Sequence, residues 1–141
     1  MGDWVFEQPE KNVSTILEGI KEEASGTQIN YVDVGWNMRA LDSAKIDEAI
    51  QTAKSSDLAI VIVGEDSFRQ HWKEKTCGEN RDRMDITLWG KQDYLVESIY
   101  KTGVPTIVIL INGRPLATRW IAENIPAIIE VGNQGQWVEK Q

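Results

Sequence analysis

The sequence contains very few of the residues that build metal sites and disulfide bonds. Its 141 residues include one cysteine, Cys77, and one histidine, His71. A disulfide within the chain and a metal site built from several cysteines or histidines are therefore excluded. We expect neither a metal nor a cofactor.

Basic charge and long apolar segments are also scarce. Fifteen lysines and arginines stand against 22 acidic residues, which gives a net charge of -7. Nucleic-acid binding calls for basic surfaces, so we expect no nucleic-acid partner. No apolar run approaches the roughly 20 residues of a membrane helix, so no membrane partner is expected. Residues 1–20 lack the basic start and apolar block of a signal peptide, and the compartment stays open.

Motifs for nucleotides and for nucleophilic catalysis are missing as well. No Gly-x-Gly-x-x-Gly follows a predicted strand, and there is no phosphate loop ending in Gly-Lys-Ser/Thr. Cys77 and His71 lack a third, orienting group at a recognisable spacing, which disfavours a nucleophile and its base. Six tryptophans are many for this length, and some are predicted to line a surface that binds ring-shaped ligands such as sugars.

Apolar spacing predicts helices that alternate with strands. Continuous apolar strands separated by helices are typical of a parallel sheet covered on both faces. We therefore predict an α/β fold, a three-layer sandwich with a mostly parallel, flavodoxin-like sheet. Helices are predicted from an Asn12 cap to about residue 25, after Asp42 or Ser43, over residues 94–101, and from Pro115 through Ile121. Strands are predicted at residues 28–34, 58–63, 104–111 and 126–131, and residues 132–141 as a polar tail.

The most informative stretch is the charged loop that follows the strand at residues 58–63 and ends at about residue 85. It spans about 20 residues, and loops of that length without periodicity are usually functional or disordered. It also follows the carboxyl end of a strand, where open α/β sheets bind ligands. A solvated charged surface is the other interpretation, with equal support from the chemistry. Arg114, in the turn after the next apolar strand, adds a fork of donors suited to hydroxyls or a carboxylate.

Three segments in this order carry a resemblance to a known family: Val63-Gly64-Glu65, residues 79–86, and residues 111–116 (Ile-Asn-Gly-Arg-Pro-Leu). Together they resemble the C-terminal sandwich domain of glycoside hydrolase family 3, the β-glucosidases and β-xylosidases. Gly2-Asp3-Trp4 is similar to the family's linker before the first helix of that domain. The resemblance implies a retaining hydrolase of β-linked glucosides or xylosides, in which a (β/α) barrel domain supplies an aspartate nucleophile.

The resemblance implies that Glu79 is the acid/base carboxyl of such an enzyme. Retaining glycosidases use two carboxyl groups about 5–5.5 Å apart, one of them protonated at the start. Glu65 is the competing carboxyl, and we interpret it as structural. A guanidinium close to Glu79 would favour its charged form, so Arg81 and Arg83 are expected to point toward Asp82, Asp85 or solvent. The expected substrate-binding residues are Arg69, His71, Trp72 and Arg114.

The chain departs from the family pattern in several places. The barrel is absent, the strand expected before Gly2-Asp3-Trp4 is absent, and Leu88-Trp89-Gly90 replaces the usual Leu-Pro-Gly. We therefore expect residues 1–141 to be one partial domain, trimmed at both ends and inactive alone. Exposed strand edges in such a domain recruit other chains, which predicts homo-oligomers unless the remaining strands pair directly.

Two other functions stay open. A noncatalytic carbohydrate-binding or interaction module would use Trp36, Trp72 and Trp89 as stacking surfaces. A flavodoxin-like module for phosphate or nucleotide is disfavoured by the missing loop motifs.

Overall fold

The chain folds around a small parallel sheet. The computed structural model describes residue 9 and residues 13–67 and 72–132. The sheet has the order β1-β2-β3, and both strand pairs are parallel. The prediction of an α/β fold with a parallel sheet is confirmed. The elements are α1 (Ile16–Glu23), α2 (Ser43–Lys54), β1 (Ala59–Gly64), α3 (Gln92–Tyr100), β2 (Thr106–Ile111), α4 (Arg119–Asn124) and β3 (Ala127–Glu130).

One face of the sheet is covered by helices. Crossovers between parallel strands are right-handed, and the strand order runs in one direction, so α3 and α4 follow their strands onto the same face. Helix α2 packs beside α3. The core lies between these helices and the sheet. Its buried members include Ile46, Val61, Val63, Leu95, Val96, Ile99, Val108, Leu110 and Ile121.

The opposite face of the sheet consists mainly of isoleucines. Strand residues paired in register lie on the same face, and here Ile60 pairs with Ile107, Ile62 with Ile109, and Ile109 with Ile129. We call these five residues the isoleucine face. Ile60, Ile62 and Ile129 are 38%, 42% and 50% exposed. Ile109, on the central strand, is only 7% exposed, so the described residues cover this face in part.

The predicted strand at residues 28–34 is wrong. These residues pair with no strand of the described sheet, in which β1 is an edge and pairs directly with β2. Alternating side chains describe an extended segment, but a strand also needs a neighbour that accepts its backbone hydrogen bonds. Among the described residues, the remaining strands therefore pair directly.

Two predicted helix starts are also wrong. Helix α1 begins after Thr15, whose hydroxyl accepts from the Glu18 amide at 3.1 Å while Glu18 Oε2 accepts from the Thr15 amide at 2.7 Å. This reciprocal pair satisfies two free amides at once, whereas Asn12 lies outside the described residues. Helix α4 begins at Arg119, four residues after Pro115. The intervening Ala117 amide donates to the carbonyl of Ile86 at 2.9 Å, which bonds this segment to the charged loop instead of to the helix.

The remaining boundaries follow the predictions closely. Asp42 caps α2, because its carboxylate accepts from the Ala44 amide at 2.8 Å. The segment Gly2-Asp3-Trp4 and residues 133–141 of the predicted tail lie outside the described residues. Among the helices that the structure describes, none is long and apolar enough to cross a membrane.

Candidate functional site

The candidate site lies at the carboxyl edge of the sheet, where β1 and β2 end side by side. Gly64 closes β1 with a φ of 148°, and a Cβ added there would lie 1.8 Å from the Ile111 carbonyl oxygen. Only glycine fits so close to the neighbouring backbone. The next amide, of Glu65, donates to that same Ile111 oxygen at 2.7 Å. The sheet therefore fixes the backbone position from which the Glu65 side chain leaves.

A buried glutamine secures the outer edge of β1 at the same level. Gln92 Oε1 accepts from the Gly64 amide at 2.7 Å, and Gln92 Nε2 donates to the Gly64 carbonyl at 2.9 Å. The two bonds replace the strand neighbour that an edge residue lacks. Gln92 is the first residue of α3, so the helix and the strand end are joined directly.

The Glu65 carboxylate is completely buried and faces two arginines. Arg83 Nη1 lies 3.1 Å from Oε1, and Arg114 Nε lies 3.2 Å from Oε2. The two arginine side chains are themselves only 10% and 23% exposed. A carboxylate without solvent needs such charged partners, so this geometry agrees with a structural role for Glu65.

The same two arginines also bind the charged loop. Arg114 Nη2 donates to the Arg81 carbonyl at 2.6 Å, and Arg83 Nη2 donates to the Thr87 carbonyl at 2.7 Å. Each guanidinium therefore connects Glu65, at the end of β1, to a backbone position in the loop.

Arg39 connects the charged loop to the ring of Trp89. Its Nε donates to the Glu74 carbonyl at 3.1 Å, and its Nη2 donates to the Lys75 carbonyl at 3.2 Å. Its guanidinium carbon lies 3.8 Å from the centroid of the Trp89 ring, over which Arg83 also lies, at 4.2 Å. Cations in this position are attracted by the ring's electron-rich face. Sequence reasoning missed Arg39, because nothing in its local pattern indicates partners 35 residues away.

Glu79 lies at an exposed turn of this loop. The residues on either side have positive φ angles, 94° at Gly78 and 58° at Asn80. Positive φ is uncommon for a residue other than glycine, and asparagine is one of the side chains that tolerate it. Among the described residues, no hydrogen bond or ion pair involves the Glu79 carboxyl. The turn presents a carboxyl that is free to meet an external group.

The arginines near Glu79 bind groups other than the expected ones. Arg83 pairs with Glu65 rather than with Asp85, and Arg81 donates to the carbonyl of Trp72. Asp85 instead accepts from the Thr87 amide at 2.7 Å, and this hydrogen bond lowers the pKa of Asp85. Among the described residues, the partners found for Arg81 and Arg83 are thus neither Asp82 nor Asp85, and they leave Glu79 unpaired.

The expected substrate-binding residues are only partly described. Arg69 and His71 lie outside the described residues. Trp72 is 48% exposed, and Lys75 Nζ lies 3.7 Å from its ring centroid. Arg114 lies in the ion-pair cluster and also lines a shallow cleft with Asn112 and Glu130 at the ends of β2 and β3.

The three tryptophans considered as stacking surfaces for a carbohydrate-binding module differ in how far their rings are covered. Trp36 is as exposed as Trp72, but two guanidiniums lie over Trp89. Within the part of the chain that the structure describes, no three His, Cys, Asp or Glu side chains converge in a way that could hold a metal ion.

The sequence of this α/β domain matches a known family. Residues 1–140 match the sequence profile of the glycosyl hydrolase family 3 C-terminal domain, and the chain belongs to that family. It is 44% identical over 117 residues to a beta-xylosidase of Formosa agariphila, covering 82% of this chain and 15% of that protein. It is 37% identical over 87 residues to the periplasmic beta-glucosidase of Salmonella typhimurium, covering 62% and 10%.

A solved structure supports the same assignment. A GH3 exo-beta-xylosidase, solved with a xylobiose aziridine activity based probe, superimposes with a TM-score of 0.69 at 28% identity. The match covers 85% of this chain and 15% of that one. The resemblance predicted from the three motifs is confirmed. The chain spans about a tenth to a sixth of the length of the relatives it matches.

Proposed function

We propose that this domain supplies Glu79 as the acid/base carboxyl of a retaining β-glycosidase that acts on β-linked glucosides or xylosides. The nucleophile comes from another domain, a (β/α) barrel. The observation that carries the proposal is the unpaired carboxyl of Glu79 at an exposed turn, in a loop whose backbone accepts hydrogen bonds from the partly buried Arg83 and Arg114. The names of the relatives, beta-xylosidase and beta-glucosidase, support the substrate class.

The proposed chemistry needs one carboxyl to act twice. Protonated Glu79 donates its proton to the glycosidic oxygen as the bond to the sugar breaks, while the nucleophile of the other domain attacks the anomeric carbon. The resulting Glu79 carboxylate then takes a proton from water while the water oxygen bonds to the anomeric carbon. The bond between that carbon and the nucleophile breaks, and the sugar is released. Desolvation favours the protonated form of a carboxyl, so closing the turn against another domain would prepare the first step.

We further propose that Arg69, His71, Trp72 and Arg114 form part of the sugar-binding wall. Trp72 supports this for one position. It is 48% exposed with Lys75 over one face of its ring, and aromatic faces are suited to the apolar faces of sugar rings. Arg114 contributes from the cleft that it shares with Asn112 and Glu130. Arg69 and His71 are proposed from the family resemblance.

The test compares Glu79→Ala with wild type in the longer protein that carries this domain together with its barrel. We expect turnover of substrates with poor leaving groups to fall about 10²- to 10⁴-fold, because only these need a proton. Activated aryl glycosides should lose much less, and azide should partly restore their turnover. Asp82→Ala, an exposed acidic residue of the same loop, is the matched control and should leave both substrates unchanged.

Equal losses on both substrate types without an azide effect would remove Glu79 from this role. The isolated 141-residue chain should not hydrolyse an aryl β-glucoside. Sugar binding by the isolated chain that is unchanged in Glu79→Gln would favour the noncatalytic module instead.

A further inference from the structure

We infer that Glu65 is a positioning residue, whose buried carboxylate sets the location of the Glu79 turn through Arg83 and Arg114. The inference rests on the proposed role of Glu79 for its catalytic consequence. Its structural part, that Glu65 orders the loop, stands on the geometry alone.

The first step is the cost of removing the charge. The Glu65 side chain has no exposure, and both of its oxygens lie near a guanidinium, at 3.1 and 3.2 Å. A neutral group in this position would leave two largely buried cations without a counter-charge. Breaking a buried ion pair from one side is strongly destabilising for this reason. The guanidiniums would then move toward water, and the loop carbonyls bonded to them would be displaced.

The second step is where those other contacts lie. Arg114 holds the Arg81 carbonyl and Arg83 holds the Thr87 carbonyl. These two carbonyls bracket residues 81–87, a segment that begins two residues after Glu79. The carboxylate is thus connected to the segment at both of its ends through rigid, planar groups.

The third step is the rigidity of the base. The Glu65 backbone is bonded to β2, and Gln92 secures the preceding Gly64. A displacement of the carboxylate therefore moves the loop and not the sheet. Shortening the side chain by one methylene displaces the carboxylate by about 1 Å, and misplacement of that size costs about 10²-fold in rate when it reaches a catalytic group.

The structural arm of the test uses this chain alone. Amide hydrogen exchange is measured for residues 78–88 and for β2 in wild type, Glu65→Gln and Glu65→Asp. We expect exchange of the loop amides to accelerate at least about tenfold in Glu65→Gln while β2 amides change much less. Glu97→Gln, which removes the exposed pair between Glu97 and Lys101 at 3.1 Å, is the control and should change neither region.

A second variant keeps the test decisive if Glu65→Gln does not fold. Arg114→Lys retains a cation beside Glu65 but has no fork with which to reach the Arg81 carbonyl as well. It should accelerate exchange in the loop with little effect on β2. Unchanged loop exchange in Arg114→Lys, or acceleration spread equally over loop and sheet in the Glu65 variants, would overturn the inference.

The catalytic arm uses Glu65→Asp in the longer protein. We expect kcat for poor leaving groups to fall tenfold or more with KM nearly unchanged, and a smaller loss for activated aryl glycosides. A loss confined to KM, or one equal for both substrates, would overturn the positioning role. If the loop loosens but Glu79→Ala shows no leaving-group dependence, the proposed function fails while Glu65 still orders the loop.

Discussion

The two faces of the sheet are built from the same kind of residue but differ in what covers them. On the helix side, Val61, Val108 and Leu110 are no more than 5% exposed. On the isoleucine face, Ile62 lies next to Val61 in the same strand and is 42% exposed. Burial of an aliphatic side chain contributes to stability only in proportion to the area removed from water. Adjacent residues of one strand are therefore expected to contribute very differently.

The difference between the faces shows that apolar residues predict a buried surface but do not identify the segment that buries it. Soluble proteins rarely leave contiguous apolar surface exposed unless it binds something. Helix α1 has an apolar stripe that includes Ile16, Leu17 and Ile20, yet none of its residues is buried. The helix that could have covered the isoleucine face does not do so with any fully buried side chain.

The largest expected effect tests the difference between the faces directly. Leu110→Ala, on the helix side, should lower the free energy of unfolding by about 2–5 kcal/mol, because it leaves a cavity in the core. Ile62→Ala should lower it by about 1 kcal/mol or less, since most of that side chain is not removed from water. Chemical denaturation of the isolated chain measures both. Equal losses would mean that the isoleucine face is covered in solution.

The second largest expected effect concerns self-association through the isoleucine face. We expect the isolated chain to self-associate through this face and the edge of β1 beyond the Gln92 contact, where no described strand pairs with it, because exposed apolar strands pair with other chains. Ile62→Lys should weaken association about tenfold, which corresponds to about 1.4 kcal/mol. Sedimentation over a range of concentrations measures it. Ile86→Lys is the matched control, because Ile86 is also 42% exposed but lies in the charged loop. A wild-type monomer at high concentration would contradict this.

The smallest expected effect tests whether the stability of α1 is independent of the stability of the core. Thr15→Ala removes the cap and should destabilise α1 by about 1 kcal/mol. Because α1 buries no residue, the unfolding midpoint of the core should stay unchanged. Backbone chemical shifts of α1 report the helix, and Glu22→Gln is the control. A fall in the core midpoint would show that α1 packs against the sheet.

The same helix gives a prediction of pH dependence. The hydrogen bond from the Thr15 amide lowers the pKa of Glu18 below its usual 4.5. A carboxyl with a lowered pKa stabilises the folded form above its unfolded pKa, and this contribution is lost as the pH falls through the lowered value. Helix α1 should therefore weaken below about pH 4.5, and Glu18→Gln should remove most of that dependence.

Prediction from sequence succeeded where a pattern is local. The apolar runs of β1 and β2, the Asp42 cap and the three family motifs each depend on residues close together in the chain. It failed for residues 28–34 and for Pro115. Residues 28–34 pair with no strand that the structure describes. Pro115 is followed by Ala117, whose amide donates to the carbonyl of Ile86, far away in the chain. The place of Glu79 in a charged loop was visible in the sequence, whereas the fixing of that loop by Arg39 and Glu65 was not.

The sequence by itself determined the α/β alternation, the parallel sheet and the family, because side-chain periodicity and short motifs are properties of neighbouring residues. Only the tertiary structure decided which face of the sheet is covered. It also decided that Glu65 faces Arg83 and Arg114, and that Arg39 lies over Trp89. These contacts join residues far apart in the chain, and a buried charge finds its partner only when packing has brought the segments together and excluded water.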